Sequence, residues 1–134
     1  MNDDTRDLLL RIDSYVEGLF APPNAALEGA MRRSREARLP EIQVSPAEGT
    51  LLRLLAEIAG ARRILEIGTL GGYSTICLAR ALPENGLLVS LEVDERHAGV
   101  ARQNIAEAGL GETFVRRHRS RVVRRSHGRD LQKE

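Results

Sequence analysis

The run ILEIGTLGGYST, Ile64–Thr75, decides the fold. A short apolar stretch leads into three glycines, and a helical pattern leaves them. Gly68, Gly71 and Gly72 therefore lie where a strand turns into a helix and backbone can approach a ligand closely. Open α/β sheets bind ligands at the carboxyl ends of their strands, and a helix N-terminus offers unpaired N–H groups to an anion. The dinucleotide fingerprint G-x-G-x-x-G fails, because Leu70 and Tyr73 fill its second and third glycine places. A phosphate loop of the Walker type fails too, since no lysine follows the glycines. A packing turn without a ligand stays open on the glycines alone.

Outward from the turn the texture alternates. Arg63–Ile67 reads as a strand, Tyr73–Ala81 as a helix, Gly86–Val93 as a second apolar strand and Glu95–Ala108 as a second helix ended by Gly109. This βαβα order opens a doubly wound parallel sheet. Upstream, residues 4–19 carry apolar side chains at helical spacing from Leu8 to Leu19, and Pro22-Pro23 ends the run. A more polar helix follows from Asn24 to about Arg38, and residues 40–44 read as extended. Ser45-Pro46-Ala47-Glu48 combines a cap, a first-turn proline and a capping-box acid, so a helix runs from there to Gly60.

Two acids sharpen the ligand question. Glu66 stands two residues before Gly68 at the end of the first strand, and Glu92 ends the second, where an acid accepts ribose hydroxyls in many α/β sites. A ligand with a ribose and a cationic amino-acid portion suits two carboxylates better than a pyrophosphate does. A solvated strand-end charge at Glu66 and a surface or helix-capping acid at Glu92 are the plain alternatives.

Composition bounds the rest. The chain has 134 residues, 42% hydrophobic and 3% aromatic with no tryptophan, enough for one domain with an aliphatic core. So few aromatics argue against a stacking surface for single-stranded nucleic acid. A single cysteine, Cys77, excludes an internal disulfide. No apolar run reaches membrane-spanning length, and the acidic N-terminus does not read as a signal peptide, so a cytoplasmic location and no membrane partner are expected.

These residues resemble the first motif of the bacterial SAM-dependent O-methyltransferases related to catechol and caffeoyl-CoA O-methyltransferases (SAM is S-adenosyl-L-methionine). IQVSPAEGTLL (Ile42–Leu52) and LVSLEVDERHAGVARQNIAEAGL (Leu88–Leu110) resemble the same family in order and spacing. The resemblance covers roughly residues 8–110. It implies a class I methyltransferase Rossmann-like parallel sheet, incomplete here, preceded by N-terminal helices. It also implies SAM as cofactor and a small hydroxylated acceptor, catechol-like or phenolic. Carried onto this chain, it gives a cofactor set of Val44, Glu66, Gly68, Tyr73, Ser74 and Glu92. Glu66 would hold the methionine amino group directly or through water, Ser74 the carboxylate, and Glu92 the ribose hydroxyls, with Val44 lining the methionine end. Ser74 could instead merely cap its helix, and Val44 could be core. The family also uses a divalent cation (Mg), whose ligands and base lie on later elements that this chain does not contain, and it often forms homodimers.

The pattern breaks after Leu110. Residues 1–110 carry a net charge of −4 and residues 111–134 a net charge of +5. Val115–Arg129 holds seven arginines and no acid, which does not read as the next strand of a buried parallel sheet. The expected organisation is one domain over 1–110, the N-terminal helices plus the first half of a SAM-binding sheet, followed by an Arg-rich tail over 111–134. Three readings of the tail compete: a frameshifted or truncated product, a basic arm for nucleic acid, or a disordered extension. His118 and His127 have no nearby acids there, so metal ligation is not expected. The function expected is therefore an O-methyltransferase in a truncated form with reduced or no activity. The rivals are a non-catalytic SAM- or nucleotide-binding protein, a nucleic-acid-interacting protein acting through the tail, and an NAD-dependent oxidoreductase disfavoured by the failed fingerprint.

Overall fold

A computed structural model of the chain describes residues 2–110 and the backbone of 114–117. Three helices come first: α1 (Asp3–Phe20), α2 (Ala25–Glu36) and α3 (Pro46–Ile58). There follow β1 (Arg63–Ile67), α4 (Tyr73–Ala79), β2 (Leu87–Glu92), α5 (Glu95–Glu107) and β3 (Phe114–Arg117). The strands lie in the order β1-β2-β3, all parallel, with Glu66 opposite Ser90 and Ile67 opposite Leu91. The mixed helix-and-strand architecture is the expected one. Among the described residues no helix is long and apolar enough to cross a membrane.

Local signals explain where the elements begin. The Ser45 hydroxyl accepts from Glu48 N–H at 3.2 Å, and Ser45 N–H donates to the Glu48 carboxylate at 2.7 Å, so the capping box forms with Pro46 in the first turn. Asn24 caps α2 and Asp94 caps α5. The segment before α3 is not wholly extended, because Ile42 N–H donates to the Pro40 carbonyl at 3.0 Å. Helix α4 is shorter than expected and ends at Ala79.

The largest correction lies beyond Leu110. Phe114–Arg117 forms a third parallel strand, with Val89 opposite Phe114 and Glu92 opposite Arg117, in a stretch whose arginines argued against one. The physical reason is position: among the described residues β3 is the outer strand on its side, and an edge strand need not be apolar on both faces. The remaining tail, 111–113 and 118–134, lies outside the described residues, and the three readings of it with it.

One face of the sheet is covered by helices. Leu88, Ser90 and Glu92 are buried there, beneath a core of Ala30, Ile76, Ala98, Ala101 and Ile105. Small side chains at Ala98 and Ala101 let α5 approach closely. The opposite face is bare, leaving Leu65 64% and Ile67 82% exposed. Helix α1 likewise buries no residue and leaves Leu8, Leu9, Ile12 and Leu19 exposed.

Helix α3 meets α4 at Gly49. A Cβ at this position would stand 2.9 Å from the Cys77 sulfur and 3.0 Å from Tyr73 Cε1. Gly49→Ala should therefore destabilise the fold by about 1–3 kcal/mol despite the better helix propensity of alanine. Urea unfolding of the two proteins checks this, and an unchanged or raised midpoint would contradict it.

Candidate functional site

The glycine turn is held by a carboxylate. Glu92 ends β2 with its side chain beneath the turn, only 6% exposed. Its Oε2 accepts from Thr69 N–H at 3.1 Å and Leu70 N–H at 2.9 Å. Its Oε1 accepts from Val93 N–H at 2.8 Å and Asp94 N–H at 3.0 Å. Burial by itself pushes this carboxyl up, but the N–H bonds from Asp94, Leu70, Val93 and Thr69 together outweigh it and hold it below its ordinary value. Glu92 is thus a fixed negative charge at the mouth of the sheet.

The turn needs unusual backbone. Gly68 and Gly72 have φ of 90° and 81°, and Leu70, a side chain-bearing residue, has φ of 50°. A leucine rarely adopts this left-handed conformation. The Glu92 oxygen on its N–H helps to hold it there. Leu70 stands in the place where the dinucleotide fingerprint would require glycine, and the chain takes the glycine-like conformation regardless.

Glu66 is arranged differently. Ser74 Oγ donates to its Oε1 at 2.6 Å, while Thr75 Oγ1 and Ser90 Oγ both donate to its Oε2 at 2.5 Å. Ser90 also bonds Thr69 Oγ1 at 2.5 Å. A hydroxyl has one proton, so with the Ser90 proton on Glu66 the Thr69 hydroxyl must be the donor to Ser90. The result is a chain from the buried Thr69 and Ser90 to the half-buried Glu66, with Thr75 and Ser74 feeding the same carboxylate.

A cavity of about 350 Å³ opens over the turn, within the range of small-molecule sites. Five of the six expected cofactor residues line it: Val44, Gly68, Tyr73, Ser74 and Glu92. Glu66 does not line it, and reaches it through Ser74. The sequence reading missed Thr69, His97 and the α2 residues Met31 and Ser34 in its wall. Ser90 was detectable as a lone hydroxyl in an apolar strand, two residues before Glu92 and so on the same face. His97 stands 4.0 Å from Glu92 and 3.7 Å from Asp94. A larger cleft of about 930 Å³ shares Met31, Val44 and Tyr73 but adds Phe20, Arg53 and Arg80 instead of the turn and its acids. Size alone therefore does not mark the chemical site.

Neither Tyr73 nor Cys77 is a ready base or nucleophile. Burial, with the neighbouring Cys77 and Glu17, pushes the Tyr73 phenol up to about 12. Burial also pushes the Cys77 thiol up, against the opposing pull of Arg80 and Arg53. Among the described residues, no group of three His, Cys, Asp or Glu side chains could hold a metal ion.

This fold and site define a class I methyltransferase architecture, and comparison with known proteins makes it specific. The O-methyltransferase family profile matches residues 22–122. The chain is 50% identical over 99 residues to the catechol O-methyltransferase of Niastella koreensis, covering 74% of this chain and 45% of that one. It is 45% identical over 101 residues to the catechol O-methyltransferase of Mycobacterium tuberculosis, covering 75% and 46%. The solved O-methyltransferase from Bacillus cereus in complex with SAH superposes with a TM-score of 0.78 at 48% identity, over 80% of this chain and 49% of that one. TomG of Streptomyces achromogenes, solved with SAM, gives 0.73 at 46% identity, over 81% and 48%. This chain belongs to the O-methyltransferase family, and it spans about half the length of these relatives.

The Glu92 clamp has a signature in acid. Its folded pKa lies below the ordinary value of 4.5, so the ionised carboxylate stabilises the fold above 4.5 and that stability is lost as pH falls through the folded value. Urea unfolding from about pH 6 down to about pH 3 should show Glu92→Gln less stable than the unsubstituted chain at the upper end, with the gap narrowing in acid. A gap constant with pH would refute the clamp.

Cys77, only 5% exposed, should react with a disulfide reagent such as DTNB at least about tenfold more slowly in the native chain than in urea. Equal rates would show that the α3–α4 contact is open in solution.

Proposed function

We propose that the cavity over the glycine turn binds SAM, and that the chain is built for methyl transfer to the hydroxyl of a small catechol-like or phenolic acceptor. The observation that carries this reading is the convergence of Val44, Gly68, Tyr73, Ser74 and Glu92 on one cavity in a member of this family. Two relatives it resembles are named catechol O-methyltransferase, and two structures were solved with SAH or SAM. Bound SAM supplies an electrophilic methyl on a sulfonium; the residues of this chain bind and orient it.

The chemistry of each donor fits. Glu92, ionised and rigid, offers oxygens to ribose hydroxyls. It already takes four N–H bonds, roughly its full lone-pair capacity, so a hydroxyl must share an oxygen or displace a donor. Ser74 gives its only proton to Glu66, so in this arrangement it accepts from an ammonium. To donate to the methionine carboxylate it must rotate away from Glu66. Glu66 then acts on the amino group through Ser74 or through water. Gly68, with nothing within 4 Å of an added Cβ, leaves open space beside the turn.

The resemblance also calls for a divalent cation at the acceptor. The described residues do not fit one, and no step is assigned to it. We accordingly propose that the 134-residue chain alone binds SAM but transfers methyl groups slowly or not at all.

Calorimetry with SAM and SAH should give dissociation constants of roughly micromolar order, weakened about tenfold by Ser74→Ala and by Glu66→Gln. No heat of binding at millimolar ligand would overturn the cofactor assignment. Catechol methylation followed with added Mg should stay near background, and robust turnover by this chain would overturn the second proposal.

A further inference from the structure

We propose that Asn104 is a positioning residue for the cofactor cavity: its buried amide ties α2 to the glycine turn and so fixes the wall that α2 gives the site. The inference rests on the reading of that cavity as the SAM site.

Asn104 sits on α5 with 0% exposure, among the apolar side chains of the core. Its amide is occupied in three directions. Oδ1 accepts from Arg33 Nε at 2.5 Å, and Nδ2 donates to the Gly71 carbonyl at 2.8 Å and to the Ala30 carbonyl at 3.3 Å. Both amide protons are therefore used, one on the turn and one on α2, while the oxygen holds a side chain of α2. One side chain of α5 thus joins the glycine turn to α2.

Helix α2 needs such a tie. Only Gly29 and Ala30 of its residues are buried, and Arg32, Arg33, Arg35 and Glu36 crowd its second half. Little apolar area holds it, yet Ala30, Met31 and Ser34 form part of the cavity wall. The approach is close: a Cβ on Gly71 would stand 2.1 Å from Ser34 Oγ. A polar group buried at this depth holds its partners firmly, since each broken bond strands an unsatisfied atom. Fixing α2 against the turn fixes the shape of the site.

Four variants test this in the full chain, three single and one double, each read by SAH calorimetry and amide exchange. Arg33→Met and Asn104→Leu should weaken SAH binding by roughly tenfold and accelerate exchange in 25–36 while α3 keeps its protection. Gly71→Ala should weaken binding by a similar factor, and adding Ser34→Gly should restore it to within about twofold, which a general loss of stability would not allow. Unchanged affinity, or exchange accelerated equally in α2 and α3, overturns the proposal. If Asn104→Leu does not fold, Arg33→Met and the Gly71→Ala rescue decide the matter. If the unsubstituted chain binds no SAH, the reading of the site fails instead, and selective loosening of α2 alone decides for or against the tie.

Discussion

Two carboxylates on the covered face of a parallel sheet set the conditions for everything around them. A carboxylate drawn out of water needs hydrogen-bond donors in its place, and the buried Glu92 and the half-buried Glu66 each gather several. Glu92 takes them from the backbone of the turn and from the start of α5, which ties the turn's conformation to the end of β2. Glu66 takes them from the hydroxyls of Ser74, Thr75 and Ser90, which ties the first turn of α4 to both strands. Thr69 belongs to both systems, through its N–H to Glu92 and through its hydroxyl to Ser90. The register that sets Glu66 opposite Ser90 is what makes this possible, and a one-residue slip would turn Ser90 to the other face.

The same sheet is asymmetric. Its helix-covered face holds the acids, the hydroxyls and the small-residue core, while the other presents Leu65, Ile67 and Val93 to solvent. Among the described residues β1 is also an edge, with one side of its backbone unpaired by any strand. Apolar side chains and open backbone on one strand are an association hazard in an isolated α/β unit. Relatives about twice as long as this chain share most of this fold, as the Bacillus cereus enzyme does over 80% of the chain.

Much of the architecture was legible because its signals are local. The capping box at Ser45–Glu48 and the apolar run at Arg63–Ile67 lie within a few residues of what they specify. The cavity-lining set was legible for a different reason, since Val44, Gly68, Tyr73, Ser74 and Glu92 sit in motifs that the family resemblance carries. What stayed hidden is cross-chain. The bonds from Asn104 to Arg33, Ala30 and Gly71 join positions far apart in sequence, and no periodicity points from one to another. The side on which Glu66 turns depends on which face α4 covers, which the strand alone does not say. At β3 the arginines of Val115–Arg129 argued against a strand because burial on both faces was assumed, whereas among the described residues this strand lies at an edge.

The geometry separates holding a cofactor from using it. Binding needs a fixed negative charge, a turn that yields space and a wall, and in the proposed SAM site these come from β1, β2, α2 and α4. Transfer to an oxygen needs more: the acceptor must be held in line with the methyl, and its hydroxyl must lose a proton. Tyr73 in the cavity wall and Cys77 one helical turn beyond it are both pushed toward their neutral forms by burial, so neither serves as a proton acceptor at neutral pH. Glu92 is ionised, but its oxygens are committed to the backbone. Glu66 is shielded by three hydroxyls. On the proposed reading, carboxylates engaged in this way orient SAM, and the proton acceptor for transfer is a group other than Tyr73, Cys77, Glu66 and Glu92.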